Sequence, residues 1–389
     1  MSDLQIVTET LRQLIQFDTT SRNSNLECID WLEAVLEPLG ADCRRIPNST
    51  GEKSNLWARI GPDKPGGLVL SGHTDVVPVD GQDWHTDPFA LTENAGKLYG
   101  RGTCDMKGFV ALCLAFAPRF AELELEQPIH LAFSYDEEVG CKGAPGMIQS
   151  MLDLGAEPRG VWVGEPSLWQ VVSGHKGIML TEVEVTGKEA HSSLPHLGVS
   201  ANGEAVDLMR VLREIQTDLA AAADSESLFE PPYPTLTIGE MQGGTATNIL
   251  ARECKFLFDL RCPPGFEPKT VLEPFFAAAE AKDAELKARF PECGVRISTH
   301  SDVPALAPGD GHDAETLVRA LTGDNALRAV AYATEAGQFQ NAGFPAVISG
   351  PGSIDQAHKP NEFVEISQLE QGVAIFTQLL QHLEASPSR

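Results

Sequence analysis

Residues 67–78 read GLVLSGHTDVVP, a stretch in which an apolar, strand-like run ends at a single histidine, His73. Further runs of this kind end at acidic or imidazole groups, which are Asp105, the pair Glu137 and Glu138, Glu165 and His358. In open α/β sheets, ligands bind outside the carboxyl ends of the strands. We therefore expect these side chains to converge in one crevice.

The acidic residues of this set point to bound cations. Packed together without cations, the four carboxylates would repel one another and take up protons. Two divalent ions carry four positive charges, which balance the four acidic side chains. This charge balance predicts a hydrolytic site with two metal ions. Oxygen and imidazole ligands suit zinc, cobalt and manganese alike.

Around this stretch, helices and strands alternate through the first half of the chain. The predicted helices lie near 3–17, 25–39 and 108–116, and the predicted strands near 55–60, 68–70, 129–134 and 161–163. Such a β-α-β rhythm is typical of an α/β fold. We expect a mostly parallel sheet covered by helices.

The pattern changes after Gly177, where strands begin to alternate polar and apolar residues by twos. Strands are predicted near 178–185, 235–241 and 254–261, with helices near 200–215 and 267–289. This pattern favours a smaller α+β unit inserted in the larger one. The larger one resumes near residue 300, with elements near 312–321, 346–349 and 367–384. The predicted domains are 1–177 with 301–389, and 178–300.

Composition excludes several classes of function. The 389 residues suggest two or three domains. With 42% hydrophobic and 22% charged residues, the chain has the composition of a soluble globular protein. Its 29 basic and 55 acidic residues give a formal charge of −26. Because this charge repels polyanions and anionic lipids, we expect binding to neither nucleic acid nor a membrane.

The sequence also predicts a cytoplasmic location. The beginning, MSDLQIVTETLRQLIQFD, has helical spacing and lacks the basic segment of a signal peptide. The longest apolar run, FVALCLAFA, is too short to span a bilayer. Eight scattered cysteines without a C-x-x-C pair indicate reduced, mostly buried thiols.

Each candidate residue also has an ordinary structural explanation. His73 could be a turn histidine, although the carboxylate of Asp75 can hydrogen-bond its second imidazole nitrogen and raise its basicity. Asp105 follows the glycine-rich string YGRGTC, where it could instead cap a helix.

The adjacent pair Glu137 and Glu138 could form a solvated loop, but it follows the hydrophobic run IHLAFSY. Adjacent side chains of an extended backbone point to opposite sides, so one can bind a metal ion while the other holds a water. Each signal is modest alone, and their joint occurrence favours the metal site.

A family resemblance is carried by the strings GHTDVVP, YGRGTCDMKG, DEEVG, GEPS and AHKPNE. They resemble the dinuclear zinc family that includes aminoacylases, carboxypeptidase G, succinyl-diaminopimelate desuccinylases and acetylornithine deacetylases. The similarity covers almost the whole chain. The late strings YATEAGQF and GPGSIDQAHKPNEFV resemble the acetylornithine deacetylases of this family in particular.

The resemblance implies two zinc ions, with cobalt as the alternative, and a role for each residue of the set. Asp105 would bridge the ions, and the peptide bond from Asp105 to Met106 would be cis. Asp75 would support His73. The other ligands would be divided between the ions, with His73 and Glu165 on one and Glu138 and His358 on the other.

The implied reaction is hydrolysis of N2-acetyl-L-ornithine to L-ornithine and acetate, a step of arginine biosynthesis. Water activated between the two metal ions would attack the amide, with Glu137 as general base. His191, which from the residues alone lies in a polar turn, would reach the substrate carbonyl across the interface of a homodimer formed by the inserted lid domain.

Five residues are expected to bind the substrate: Lys176, Asn248, Arg261, Glu335 and Gly352. The fork of Arg261 suits the α-carboxylate, and Glu335 would attract the δ-ammonium group. A desuccinylase, a general aminoacylase or a dipeptidase with the same chemistry stays open. A metal-free amino-acid-binding protein on this scaffold is the alternative from another class.

Overall fold

The computed structural model describes residues 1–309 and 311–384. Two compact units share the chain. The large unit contains Met1–Gly174, Pro308–Ala329 and the described chain from Thr334 onward. The small unit contains His175–Ala307 and Val330–Ala333.

The helices of the described residues are α1 Asp3–Gln16, α2 Leu26–Leu36, α3 Lys107–Glu122, α4 Ala144–Asp153, α5 Ala201–Ala221, α6 Pro268–Val271, α7 Glu273–Arg289, α8 Asp313–Thr322, α9 Ala336–Asn341 and α10 Ile366–Glu384. Short 3₁₀ helices cover Glu37–Leu39, Pro195–Leu197 and Ile354–Gln356. No helix of the described residues is long and apolar enough to cross a membrane.

The strands are β1 Asp42–Pro47, β2 Ser54–Ile60, β3 Leu68–His73, β4 Thr92–Asn94, β5 Lys97–Tyr99, β6 Ile129–Ser134, β7 Gly160–Val163, β8 Gly174–His175, β9 Gly177–Thr186, β10 Thr235–Gly243, β11 Glu253–Cys262, β12 Gly294–Val303, β13 Ala329–Val330, β14 Ala346–Ile348 and β15 Phe363–Glu365.

The main sheet of the large unit has the order β1-β2-β6-β3-β7-β14. Strands β6, β3, β7 and β14 are parallel to one another, whereas β1, β2 and β6 pair antiparallel. Every residue of β3 and β6 is buried, as in strands covered on both faces. The expected mostly parallel sheet with helical cover is therefore confirmed.

Helix α3 is the central packing element of the large unit. It contacts α1, α10 and strands β2, β3 and β6. Phe109 and Phe116 of this helix meet Phe376 of α10, and Phe109 also meets Trp162 of β7. These fully buried rings fix α3 beneath the loop that carries Asp105.

The small unit is an antiparallel sheet of order β10-β11-β9-β12, with α5 and α7 packed against it. Along β9, buried and partly buried residues alternate strictly, as expected for a strand with one face in the core. Phe256 and Phe258 of β11 contribute to that core. The predicted α+β unit is confirmed as a separate small sheet.

Several elements differ from the sequence-based predictions. The predicted helix 267–289 is divided at Leu272 into α6 and α7. Pro274 stands in the first turn of α7, where its missing N–H costs no intrahelical hydrogen bond. Strands β1 and β12 were not predicted because their arginine-, serine- and threonine-rich sequences hide the alternation.

Candidate metal centre

Parallel strands bring the predicted residues to one edge of the main sheet. His73 is the last residue of β3 and pairs with Ser134, the last residue of β6. Ser71 of β3 pairs with Val163, the last residue of β7. The chain that follows β6 and β7 therefore places Glu137, Glu138 and Glu165 at the end of β3, as the pattern of strand ends predicts.

The ring of His73 is completely buried, and each of its nitrogens has a defined neighbour. Nδ1 lies 2.9 Å from the carbonyl oxygen of Asp75, so it carries the proton and donates. Nε2 then presents a lone pair to Asp105 Oδ1 at 3.0 Å and Glu165 Oε1 at 3.7 Å. A lone pair facing carboxylate oxygens requires a proton or a metal ion between them.

Asp75 supports His73 through a different atom from the one predicted. Its carboxylate Oδ1 lies 3.6 Å from His73 Nδ1, which is beyond a good hydrogen bond, and the backbone carbonyl takes its place. The carboxylate instead accepts from the N–H groups of Glu137 at 3.0 Å and Glu138 at 3.3 Å, and from the hydroxyl of Ser21 at 2.7 Å. Asp75 thus fixes the loop that carries both glutamates.

Asp105 lies between two histidines. Its Oδ1 faces His73 Nε2 at 3.0 Å, and its Oδ2 faces His358 Nε2 at 3.5 Å. His358 Nε2 also lies 2.9 Å from Glu138 Oε2. Asp105 does not cap α3, since the N-cap position is Met106. The peptide bond between Asp105 and Met106 is cis, as the resemblance implies.

The donor atoms fit metal ions better than they fit one another. Glu138 Oε1 and Glu165 Oε1 are buried and have no hydrogen-bond partner. Ligand atoms lie within 4.8 Å of one another in two groups among the described residues, namely His73 with Glu137 and Glu165, and His73 with Asp105 and Glu138. Carboxylate and imidazole donors of this kind suit zinc and related divalent ions.

The pKa shifts of the clustered glutamates and of His358 also favour bound cations. Burial raises the pKa of Glu137, Glu138 and Glu165, and their mutual repulsion and that of Asp105 add to it. Hydrogen bonds to Asp105 and Glu138 raise the pKa of His358 to about 10. With raised pKa values, these side chains hold protons up to a higher pH. Bound cations would take the place of those protons.

The pKa shifts of His73 and Asp105 complete this picture. Burial alone would lower the pKa of His73, but its bond to Asp105 and the charge of Glu165 raise it well above its usual range. For Asp105, burial is outweighed by hydrogen bonds to both histidines, and its pKa falls below the ordinary value. Asp105 is thus the carboxylate held ionised between two basic groups.

Glu335 lies beneath the centre rather than in an open cleft. Its side chain is 1% exposed, and its two oxygens accept from the hydroxyls of Ser71 at 2.5 Å and Ser134 at 2.7 Å. Burial raises its pKa. With both oxygens engaged inside the sheet, Glu335 does not fit the expected contact with a substrate ammonium group.

Gly352 lies in a tight turn beside Cys104. Its backbone φ is +83°, and a Cβ there would come within 2.6 Å of the Cys104 sulfur. Its N–H donates to Gln368 Oε1 and its carbonyl accepts from Leu168. Gly352 thus stands in a turn that only glycine fills without strain, and its contact with a substrate stays a prediction.

The remaining predicted residues belong to the small unit. His191 is exposed, and its Nδ1 accepts from the N–H of Ser193 at 3.2 Å, with the Ser193 hydroxyl at 2.7 Å. The neutral ring therefore carries its proton on Nε2. Asn248 is also exposed. Arg261 is 32% exposed, and its Nε donates to Asp259 at 3.2 Å.

Lys176, which is expected to bind the substrate, has partners inside the small unit. It is buried, and its ammonium group donates to the carbonyl oxygens of Pro231 at 2.7 Å and Tyr233 at 2.8 Å. Burial lowers its pKa. Lys176 therefore holds the loop before β10 and has no free side chain for a substrate carboxylate.

The sequence of the chain is similar to known proteins over most of its length. The model of peptidase family M20/M25/M40 matches residues 69–382. The chain belongs to this family. It is 34% identical over 396 residues to an acetylornithine deacetylase of Myxococcus xanthus, with 98% of this chain and 99% of the relative covered. Membership makes the chain a metal-dependent amidohydrolase.

Solved structures of the family share the fold. The M20 family metallo-carboxypeptidase Sso-CP2 of Sulfolobus solfataricus matches with a TM-score of 0.78 at 19% identity, covering 98% of this chain and 99% of that one. The YXEP protein of Bacillus subtilis, a dinuclear metal binding peptidase from the M20 family, matches with a TM-score of 0.66 at 14% identity, covering 99% of both chains.

Sequence reasoning missed residues that support the centre. Ser21 lies in the loop DTTSRNSN, and Glu362 ends the string HKPNE. Both are buried polar residues that hydrogen-bond to the segments carrying the predicted ligands. Their presence in otherwise exposed-looking polar strings gave no local signal of burial.

Proposed function

We propose that the protein hydrolyses N2-acetyl-L-ornithine to L-ornithine and acetate with two divalent metal ions, zinc or cobalt. The observation that carries the proposal is the position of Asp105, whose two oxygens face His73 and His358 separately. A carboxylate between two imidazoles is suited to bridge a pair of ions. The near full-length similarity to an acetylornithine deacetylase supports the choice of substrate.

The chain's own residues would hold the two ions around Asp105. His73 and Glu165 would bind on one side, and Glu138 and His358 on the other. When bound, such ions make water a stronger nucleophile at neutral pH and polarise the amide carbonyl. The buried, unpartnered oxygens of Glu138 and Glu165 are the positions where this chain offers free lone pairs.

Glu137 would move the proton. Its carboxylate lies in the same donor group as His73 and Glu165, so it is close to the reacting atoms. Burial raises its pKa, which brings proton uptake nearer to neutral pH. The Cys141 thiol donates to Glu137 Oε1 at 3.2 Å and limits its rotation. Glu137 would accept a proton from water and return it to the departing amine.

His191 would stabilise the negative charge that develops on the carbonyl oxygen. Because Ser193 engages Nδ1, the neutral ring offers Nε2–H as a donor. Donors aimed at the developing charge typically contribute a large part of amide hydrolysis. We propose that this donor comes from a second copy of the chain, in a homodimer formed through the small unit.

Arg261 is our candidate for the α-carboxylate, since its guanidinium retains donors that Asp259 does not use. Both oxygens of Glu335 accept hydrogen bonds inside the large unit, so the δ-ammonium contact is left unassigned. We propose that the substrate is a small acylated amino acid and that its hydrolysis is a cytoplasmic step of arginine biosynthesis.

The test is a substrate panel on protein of known metal content. Metal-free protein should be inactive, and about two equivalents of zinc or cobalt should restore turnover of N2-acetyl-L-ornithine. N-succinyl-L,L-diaminopimelate, N-acetyl-L-methionine and a dipeptide serve as competing substrates. A higher kcat/KM for any of these would reassign the substrate, and binding without turnover of all four would favour a binding protein.

A further inference from the structure

One buried carboxylate outside the donor set gathers the loop that carries Asp105. Glu362 is 1% exposed. Its Oε1 accepts from the backbone N–H groups of Cys104 at 2.8 Å and Asp105 at 3.1 Å. Its Oε2 accepts from the N–H of Gly102 at 3.0 Å and from Arg101 Nη1 at 2.8 Å. Both carboxylate oxygens of Glu362 thus accept hydrogen bonds from residues 101–105.

The backbone of Glu362 joins the same loop. Its carbonyl oxygen accepts from the N–H of Gly100 at 3.1 Å. Convergent backbone N–H groups form a concave anion site, which fixes the backbone around the anion that fills it. The position of Asp105 therefore depends on the carboxylate of Glu362 as well as on its own contacts.

The guanidinium of Arg101 extends this link toward His358. Arg101 Nη1 also donates to the carbonyl of Lys359 at 3.3 Å, and Nη2 donates to the side-chain oxygen of Gln82. Gln82 Nε2 in turn donates to the carbonyl oxygen of His358 at 2.9 Å. Arg101 therefore connects the Asp105 loop to the backbone of His358.

The His358 segment needs such support because its backbone is in an uncommon conformation. His358 has a φ of 62° and Asn361 a φ of 58°, both in the left-handed region. Asn361 Oδ1 accepts from the N–H of His85 at 2.8 Å, and its Nδ2 donates to the carbonyl of Asp83 at 3.2 Å. Contacts with residues 82–85 thus hold this segment in place.

We propose that Glu362, through Arg101 and Gln82, is a positioning residue that sets the distance between Asp105 and His358. This inference rests on the metal site of the proposed function. It predicts that loss of Glu362 weakens the metal position formed by Asp105, Glu138 and His358 more than the position at His73. The ring of His73 is fixed separately by β3 and by the carbonyl of Asp75.

The experiment measures metal affinity rather than turnover. Metal-free wild type and Glu362→Gln are titrated with Co²⁺ in competition with a chelator, which gives two dissociation constants and the cobalt absorption spectrum. We expect one of the two constants to rise about 10- to 100-fold in the variant, the range typical of residues that orient metal ligands. The other constant should change less.

Glu365→Gln is the matched control. Glu365 is exposed and stands three residues later in β15, so it loses the same charge without touching the Asp105 loop. Both constants should equal those of wild type. Val7 is a buried residue of α1. Val7→Ala therefore controls for lost stability alone and should also leave both constants unchanged.

Gln82→Leu is the second variant, because removing a buried carboxylate from Arg101 can prevent folding. It breaks the link that runs from Arg101 through Gln82 to His358 without stranding a buried charge, and it should weaken the same constant. Unchanged constants in folded Glu362→Gln, or in Gln82→Leu if the first variant does not fold, would overturn the inference. Wild type that binds two ions but leaves acetylornithine intact would refute the proposed function alone.

Discussion

Metal binding to the metal-free protein should release protons, and the structure sets how many. Hydrogen bonds to Asp105 and Glu138 raise the pKa of His358 to about 10, and the pKa of His73 is also raised well above its usual value. The ring of His358 is therefore protonated at pH 8, and the ring of His73 keeps its proton to a higher pH than an ordinary histidine does. Each must lose its proton to bind a metal ion.

The expected count follows from these two rings. Two histidines with ordinary pKa values would be about 3% protonated each at pH 8 and would release almost nothing. In this centre His358 alone should release about one proton per chain, and His73, whose pKa is also raised, adds to that number. Carboxylates with raised pKa values can only add to that number.

Isothermal titration calorimetry measures this count directly. Metal-free protein is titrated with Zn²⁺ at pH 8 in several buffers that bind zinc weakly and differ in ionisation enthalpy. The slope of the observed enthalpy against ionisation enthalpy gives the protons released. Because the buffer takes up the released protons, the slope is negative. A magnitude of about one or more supports the reasoning, and a magnitude near zero would refute the protonated centre described here.

The remaining predictions concern single variants and pH. Glu137→Gln should keep two metal ions, measured by elemental analysis, while kcat falls by about 10²- to 10⁴-fold; near-normal kcat would remove Glu137 as the base. His191→Ala should also keep its metal content and lose about 10²- to 10³-fold in kcat, and a normal kcat would remove His191 from the mechanism. Lys176→Met should lower the free energy of unfolding by about 2 kcal/mol because two buried carbonyls lose their donor, with KM almost unchanged; a large KM effect would restore its substrate role. The pKa of His358 is raised on folding, so its contribution to metal-free stability is complete below pH 6.5 and lost as pH rises through about 10. The melting temperature without metal should therefore fall across this window, and a rise would contradict the shift.

The sequence predicted the edge of the sheet at which the candidate centre forms because strand ends leave a local mark. An apolar run followed by His73 or by Glu137 and Glu138 is visible without any tertiary information. In a parallel sheet, such ends meet at one edge. The ligand and base roles themselves stay predictions until metal is measured.

Direction and burial of single side chains were harder to predict. The strings around Lys176 and Glu335 show the residue type but not what each side chain contacts, and both groups are buried among internal partners. Glu362 stands in a polar string, yet its carboxylate lies inside the large unit beside residues more than 250 positions earlier in the chain. Only the tertiary structure brings these partners together.

We infer that Asp105 bridges two metal ions, which its neighbours hold for hydrolysis of N2-acetyl-L-ornithine. The most direct measurement is an anomalous-diffraction crystal structure of the zinc-loaded, active protein. We expect two peaks flanking Asp105, one beside His73 and one beside His358. A single peak, or two peaks that do not share Asp105, would contradict it.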